Sequence, residues 1–254
     1  MILDSFRIQG KNALVTGSRR GLGAAIALGL AEAGANVVVH GSQDNGLDEV
    51  CAAVRAAGGK AVRAQADLTH PDSCRSLIER TVAELGSIDI LVNNAGIIRR
   101  SPAAEYSTED WTGVLEINLN AVFRLAQLAG RHMLEQGSGK IVNIASLLSF
   151  QGGILVPAYA AAKGAVAQLT KALANEWAAK GINVNAIAPG YMETDNTAAL
   201  RADPVRNRQI LERIPAARWG TPRDLAGAAV FLASAASDYL HGHVLVVDGG
   251  WLAR

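Results

Sequence analysis

Two cysteines, seven prolines and a 5% share of aromatic residues are little for a chain of 254 residues. Cys51 and Cys74 are too few for a disulfide framework or a structural zinc site, and read as reduced, semi-buried small residues. Few aromatics beside 26 glycines argue against an all-β sandwich and for small-residue packing with tight strand-to-helix turns. An excess of one charge is also missing. With 24 Lys and Arg against 23 Asp and Glu, the formal charge is +1, which leaves nothing to neutralise a run of nucleic-acid phosphates. Long hydrophobic runs are absent too. Leu22 to Ala31, among the longest uncharged apolar stretches, is stopped by Glu32 at about half of the ~20 residues that span a bilayer. Met1-Ile-Leu-Asp-Ser-Phe-Arg has no basic region ahead of an apolar core, so no secretory signal and no membrane partner are expected, and the chain is placed in the cytoplasm. The histidines (His40, His70, His132, His241 and His243) show no metal spacing and read as surface or turn residues.

What is present is apolar and periodic. Half of the residues are hydrophobic and 19% are charged, a composition that excludes global disorder. The length suits one large domain, 1–254, that buries roughly three quarters of its unfolded surface. Short β-branched runs recur at Ala13-Leu-Val, Val37-Val-Val, Val62-Arg-Ala, Ile88 to Val92, Ile141 to Ile144, Val184 to Ile187 and Val244 to Val247. Several are apolar throughout, as parallel strands covered on both faces must be. Helical stretches lie between them: Gly21–Ala33, Leu47–Ala57, Pro71–Leu85, Asp110–Glu135, Pro157–Ala178 and Pro222–Ser234. Parallel strands need crossover helices, so this alternation specifies a doubly wound α/β sheet of about seven strands flanked by helices. The polar stretch after the sixth strand, with weak helical period, breaks the pattern. A lid over a site, spanning about residues 190–220, is the expectation there.

Three motifs carry chemistry. Thr16-Gly17-Ser18-Arg19-Arg20-Gly21-Leu22-Gly23 joins the first strand to a helix, where glycines let free amides approach a pyrophosphate. Its Gly-x-x-x-Gly-x-Gly spacing also fits a plain strand–helix turn. Asn93-Asn94-Ala95-Gly96 follows the fourth strand, where the sheet changes winding direction and opens a crevice, or else it is an Asx turn. Asp67 accepts from an adenine amino group or caps the turn into Pro71. Tyr159-Ala-Ala-Ala-Lys163 begins 13 residues after Ser146, and its two polar ends share one helix face. At 4–5 Å and an effective dielectric near 20, an ammonium favours a phenolate by roughly 3–4 kcal/mol, or about 2–3 pK units. Desolvation opposes that shift. Taken singly, Tyr-x-x-x-Lys is a common solvated pair; joined to Gly17, Gly21, Gly23, Asn93–Gly96 and Ser146 it is a proton-transfer site.

In these motifs the chain resembles the short-chain dehydrogenase/reductases over essentially its whole length. The resemblance implies a Rossmann-like single domain and reversible hydride transfer at a secondary hydroxyl or ketone. Asn118, in Glu116-Ile-Asn-Leu-Asn, matches the family's catalytic asparagine, expected to support a water path to Lys163. Ser146, Tyr159 and Lys163 match the groups that orient substrate, exchange the proton, and tune the phenol while binding the nicotinamide ribose. A nicotinamide nucleotide is expected along Gly17 to Gly23, Gly41, Ser42, Asp67, Leu68, Asn94 to Gly96, Tyr159, Lys163, Pro189, Gly190, Met192 and Thr194. Ala162 departs from the family's usual serine without removing a catalytic group. Val39-His40-Gly41-Ser42 carries no carboxylate at the end of the second strand, Asp44 comes slightly late, and Arg20 is basic. These features lean toward NADP(H), with NAD(H) the alternative.

Segments at the rim and lid resemble the family's sugar-acid dehydrogenases: Gly96–Arg100, Ser149–Ile154, Ala188–Asp203, Ile210–Gly220 and Val247–Arg254. The implied substrate is a deoxy-keto sugar acid. One of Arg99 and Arg100 is expected to hold its carboxylate, with Arg100 the candidate, beside Ser146, Leu148, Gln151, Tyr159, Tyr191, Met192 and Trp219. The lid's charges do not identify the binder. The helices Asp110–Glu135 and Pro157–Ala178 and the last strand resemble the family's contacts for a homotetramer. Alternatives are a gluconate dehydrogenase, a 3-oxoacyl-thioester reductase and a non-catalytic dinucleotide sensor.

Overall fold

The run Asn12–Val15 is buried at every position because both of its faces are covered. Ala13 and Val15 enter one apolar core while Leu14 enters the other, on the opposite face. In the computed structural model, which describes residues 1–254, this strand is β1, an interior strand of a seven-stranded sheet. The others are β2 (Asn36–Gly41), β3 (Ala61–Gln65), β4 (Ile90–Asn93), β5 (Gly139–Ile144), β6 (Ile182–Pro189) and β7 (Val244–Val247). Their order is β3-β2-β1-β4-β5-β6-β7, and every neighbouring pair is parallel. The winding therefore reverses between β1 and β4, and the loops at the carboxyl ends of these strands open a crevice there.

Helices α1 (Gly21–Glu32), α2 (Leu47–Ala56) and α9 (Ala226–Ala233) cover one face. Helices α3 (Pro71–Leu85), α5 (Ala121–Gln136) and α6 (Pro157–Trp177) cover the other. Pro71 starts α3 at the position where a missing N–H costs nothing, and Gly86 ends it in the left-handed conformation at φ 94°. Both cysteines are wholly buried, deeper than the sequence implies, and burial pushes their thiols up. No helix is long and apolar enough to cross a membrane.

Two elements differ from the sequence expectation. Asp110–Glu135 is not one helix: α4 (Thr108–Leu115) and α5 are joined by a π-helical turn, Glu116–Asn120. That turn carries Asn118, fully buried, whose side-chain amide accepts from the Ile97 N–H and donates to the Ile97 carbonyl. The segment expected to form a lid, called the lid below, is more ordered than its weak period suggests. It holds α7 (Ala198–Ala202) and α8 (Pro204–Arg213), and its two ends are zipped by a bridge between Met192 and Gly220. The Asp203 carboxylate accepts from the Val205 and Arg206 amides at 2.9 and 3.1 Å, with Pro204 at the first helical position. Leu147, Ile210, Ile214, Trp219 and Trp251 give the lid its own small core.

Candidate active site

Two adjoining cavities open at the carboxyl edge of the sheet. The first, about 310 Å³, runs from Gly17–Gly23 past the end of β2 to Lys163. The second, about 470 Å³, lies between the end of β5 and the lid. Leu22, Ile144, Tyr159, Thr194 and Asn196 line both. The Tyr159 phenol thus stands where the two open cavities meet, within reach of molecules bound in either.

The groove is shaped by glycine. Gly17 holds φ 64°, and a Cβ on Gly23 would stand 2.4 Å from the Gly17 carbonyl oxygen and 2.5 Å from Asn94 Nδ2. Asn94 ties the motifs together by donating to the Thr16 and Gly17 carbonyls at 2.8 and 3.0 Å. The amino end of α1 thus faces the groove with no side chain in the way, a cradle fitted to a pyrophosphate. Arg19, Arg20, Gly41, Ser42, Asp67 and Leu68 line it as expected, as do Ala95 and Gly96. Arg20 pairs with Asp195 of the lid. Asp44 instead pairs with Arg63, away from the groove. The Asp67 carboxylate accepts from the Thr69 amide and hydroxyl, which hold its pKa down, so it caps the turn while lining the groove.

Several expectations need correction. The Ser18 hydroxyl is fully buried and donates to the Val15 carbonyl, so it secures the turn and lines neither cavity. The Asn118 side chain also reaches neither cavity; committed to Ile97, it holds the Gly96–Ile97 loop in place. Pro189 and Gly190 face the second cavity, not the groove, and Met192 lies in that cavity's wall rather than along the groove, one of the two places expected for it. Trp219 is buried in the lid core, donating to Asn207 Oδ1 at 2.7 Å, and does not line the pocket. Of the paired arginines, Arg99 turns to Asp110 while Arg100 faces the cavity and donates to the Asn196 carbonyl at 3.0 Å.

His40 is no surface residue. It is buried at the end of β2, its Nδ1 accepting from the Gly17 N–H and its Nε2 facing the Ala66 carbonyl, both at 3.1 Å. Only the neutral ring with its proton on Nε2 satisfies both partners. Burial pushes its pKa down to about 4. The unfolded chain therefore binds a proton that the folded one refuses, and stability present above pH 6.5 is lost as pH falls toward 4. The loss approaches about 3 kcal/mol. We expect His40→Asn to flatten this part of the curve of unfolding free energy against pH; an unaltered slope would place the acid sensitivity elsewhere.

Around Tyr159, burial outweighs attraction. Desolvation pushes the phenol up, against the pull of the Ser146 hydroxyl and the Arg100 charge. Lys163 Nζ lies 5.6 Å from the Tyr159 ring centroid and donates to the Ile144 carbonyl at 2.5 Å. Burial lowers its own pKa to about 8. The sequence argument that the ammonium draws the phenol down is thus overridden by desolvation in the ligand-free chain. Ser146 accepts from the Leu148 amide at 3.1 Å, which fixes its oxygen beside the second cavity.

That cavity carries Arg100, Arg206 and Arg213 and no Asp, Glu or Lys, so it is built for an anion. Leu148, Gln151 and Tyr191 line it as expected. Arg206, Gln209 and Arg213, all from α8, and Trp251 line it unforeseen. The Asp203-Pro204 cap and the apolar pair Ile210 and Ile214 were the available signal for that helix.

The family model described as enoyl-(acyl carrier protein) reductase matches residues 17–252. The chain is 56% identical to 2-dehydro-3-deoxy-D-gluconate 5-dehydrogenase of Bacillus subtilis over 99% of its length and 98% of the relative's. It is 54% identical to the Dickeya dadantii enzyme of the same name over the full length of both. A crystal structure from Agrobacterium tumefaciens, provisionally assigned as a 2-deoxy-D-gluconate 3-dehydrogenase and holding NADP, is 56% identical, with a TM-score of 0.92 over 99% of this chain and 100% of that one. A nucleotide groove, a Ser-Tyr-Lys cluster at its inner end and full-length likeness to dehydrogenases of this kind agree: the chain belongs to the short-chain dehydrogenase/reductase family.

Proposed function

We propose that the chain transfers a hydride reversibly between NADP(H) and a secondary hydroxyl or ketone of a deoxy-keto sugar acid of the 2-dehydro-3-deoxy-D-gluconate or 2-deoxy-D-gluconate type. The observation that carries this reading is the position of Tyr159, lining both the groove and an anion-favouring pocket. The relatives support the substrate class, and the absence of a carboxylate at the end of β2 supports the phosphorylated nucleotide. When bound, the nicotinamide supplies or accepts the hydride. Tyr159 gives its proton to the carbonyl oxygen during reduction and takes it back during oxidation. Ser146 holds that oxygen beside the phenol. Lys163, buried at the inner end of the groove, binds the nucleotide ribose and adds positive charge once protonated. Asn118 acts through Ile97 as a positioning residue.

The same reading takes the protein as a cytoplasmic homotetramer joined along α4–α5 and α6, where Trp111 and Phe123 stand exposed on the isolated chain. A panel of sugar acids assayed with NADPH and NADH at equal concentration, on protein sized by light scattering, tests it. Keto-deoxyhexonates should turn over faster with NADPH, on a tetramer. Turnover of acetoacetyl thioesters without sugar acids would overturn the substrate, and a stable monomer would overturn the assembly.

A further inference from the structure

The sugar-acid reading leaves open which cavity guanidinium holds the carboxylate. We propose that Arg213 is the carboxylate anchor, presented by a stack of Tyr191, Trp251 and Arg213 and aided by the Gln151 amide. This rests on the substrate class proposed above.

The Arg213 guanidinium lies 4.0 Å from the Trp251 ring centroid, and the Tyr191 ring packs against that indole at 4.6 Å, tilted by 50°. A stacked arginine has already lost much of the freedom that binding would otherwise remove, while its donor edge stays open. Trp251 is in turn fixed: buried, it donates from Nε1 to Gln151 Oε1 at 3.3 Å. An indole N–H can only donate, so Gln151 must present its oxygen there and keep its amide N–H groups for another acceptor. Gln151 and Arg213 both line the cavity, so two sets of donors flank one aromatic plate with no acid to compete for them. The backbone behind Arg213 is held as well. Arg254 donates to the Glu212 and Arg213 carbonyls at 2.5 and 3.1 Å, capping the end of α8.

The other two arginines fit less well. Arg206 donates to Gln209 Oε1 at 2.7 Å, on its own helix, and has no aromatic plate. Arg100 gives one N–H to the Asn196 carbonyl, and its charge reaches the Tyr159 phenol. A carboxylate seated on Arg100 would cancel a charge that favours proton release. The reacting carbon and the carboxylate are thereby served by different arginines.

The test measures binding of D-gluconate and of its uncharged counterpart D-glucitol to the NADPH complex by calorimetry. Wild-type protein should prefer the acid. R213Q should reduce that preference about 30-fold, R213K by less because it keeps charge but loses the fork, and R206Q by under threefold. Retention of the preference in R213Q, or its loss in R100Q instead, would overturn the assignment. A wild-type chain that turns over sugar acids while R213Q keeps the preference sinks only this assignment. A wild-type chain indifferent to the carboxylate sinks the sugar-acid reading with it.

Discussion

Tyr159→Phe loses turnover by about three orders of magnitude while holding NADPH nearly as tightly as the wild-type protein. In the proposed reaction the phenol oxygen carries the proton where the two cavities meet, and removing a positioned acid–base group costs roughly 10²–10⁴-fold. The ring remains to fill its place in the wall, so the fold and groove survive. Single-turnover rates with nucleotide binding followed by fluorescence separate the two effects. Residual turnover within tenfold of wild type would remove Tyr159 from the chemistry.

Gly23→Ala has the opposite signature, losing the nucleotide first. Its Cβ would press to 2.4 Å on the Gly17 carbonyl, 2.5 Å on Asn94 Nδ2 and 2.8 Å on Ser18 Cα, and two of those three are backbone contacts. The loop cannot yield without breaking the Asn94 bridge to Thr16 and Gly17. We expect at least about a hundredfold weaker NADPH binding, with an overpacking cost of about 1–3 kcal/mol in stability. Calorimetric titration and a denaturant curve read both. Binding equal to wild type would mean that the loop adapts where the geometry leaves no room.

The sheet was legible because its signal is local and redundant. Val37–Val39 is apolar throughout, Ile141–Ile144 is broken only by Asn143, and helices lie between the runs. Seven strands in one doubly wound sheet followed from that alternation alone. Boundaries moved by a few residues, as at Ile88, where the strand starts at Ile90. Gly17, Gly21, Gly23, Ser146, Tyr159 and Lys163 line the two cavities, and their types and spacing were the part of the site legible in the sequence. Ser18, Trp219 and the Asn118 side chain were misassigned because sequence position cannot tell a side chain facing a cavity from its neighbour facing the core. His40 was misread as exposed because its role depends on Gly17 and Ala66, 23 and 26 residues away in the chain. The balance at Tyr159 was equally out of reach: spacing gives the distance to Lys163, but burial, a property of the whole fold, decides the sign.

The aromatic stack of the lid also makes the protein its own optical reporter. Two of the four indoles, Trp219 and Trp251, sit in that small cluster, while Trp177 is sealed in the main core and Trp111 lies on the outer face. A guanidinium 4.0 Å above one ring polarises its excited state, so under the proposed anchor role an incoming anion that draws the cation away changes the emission without any label. Entry and exit of ligand at the lid can therefore be timed in a stopped-flow fluorimeter on the unmodified chain.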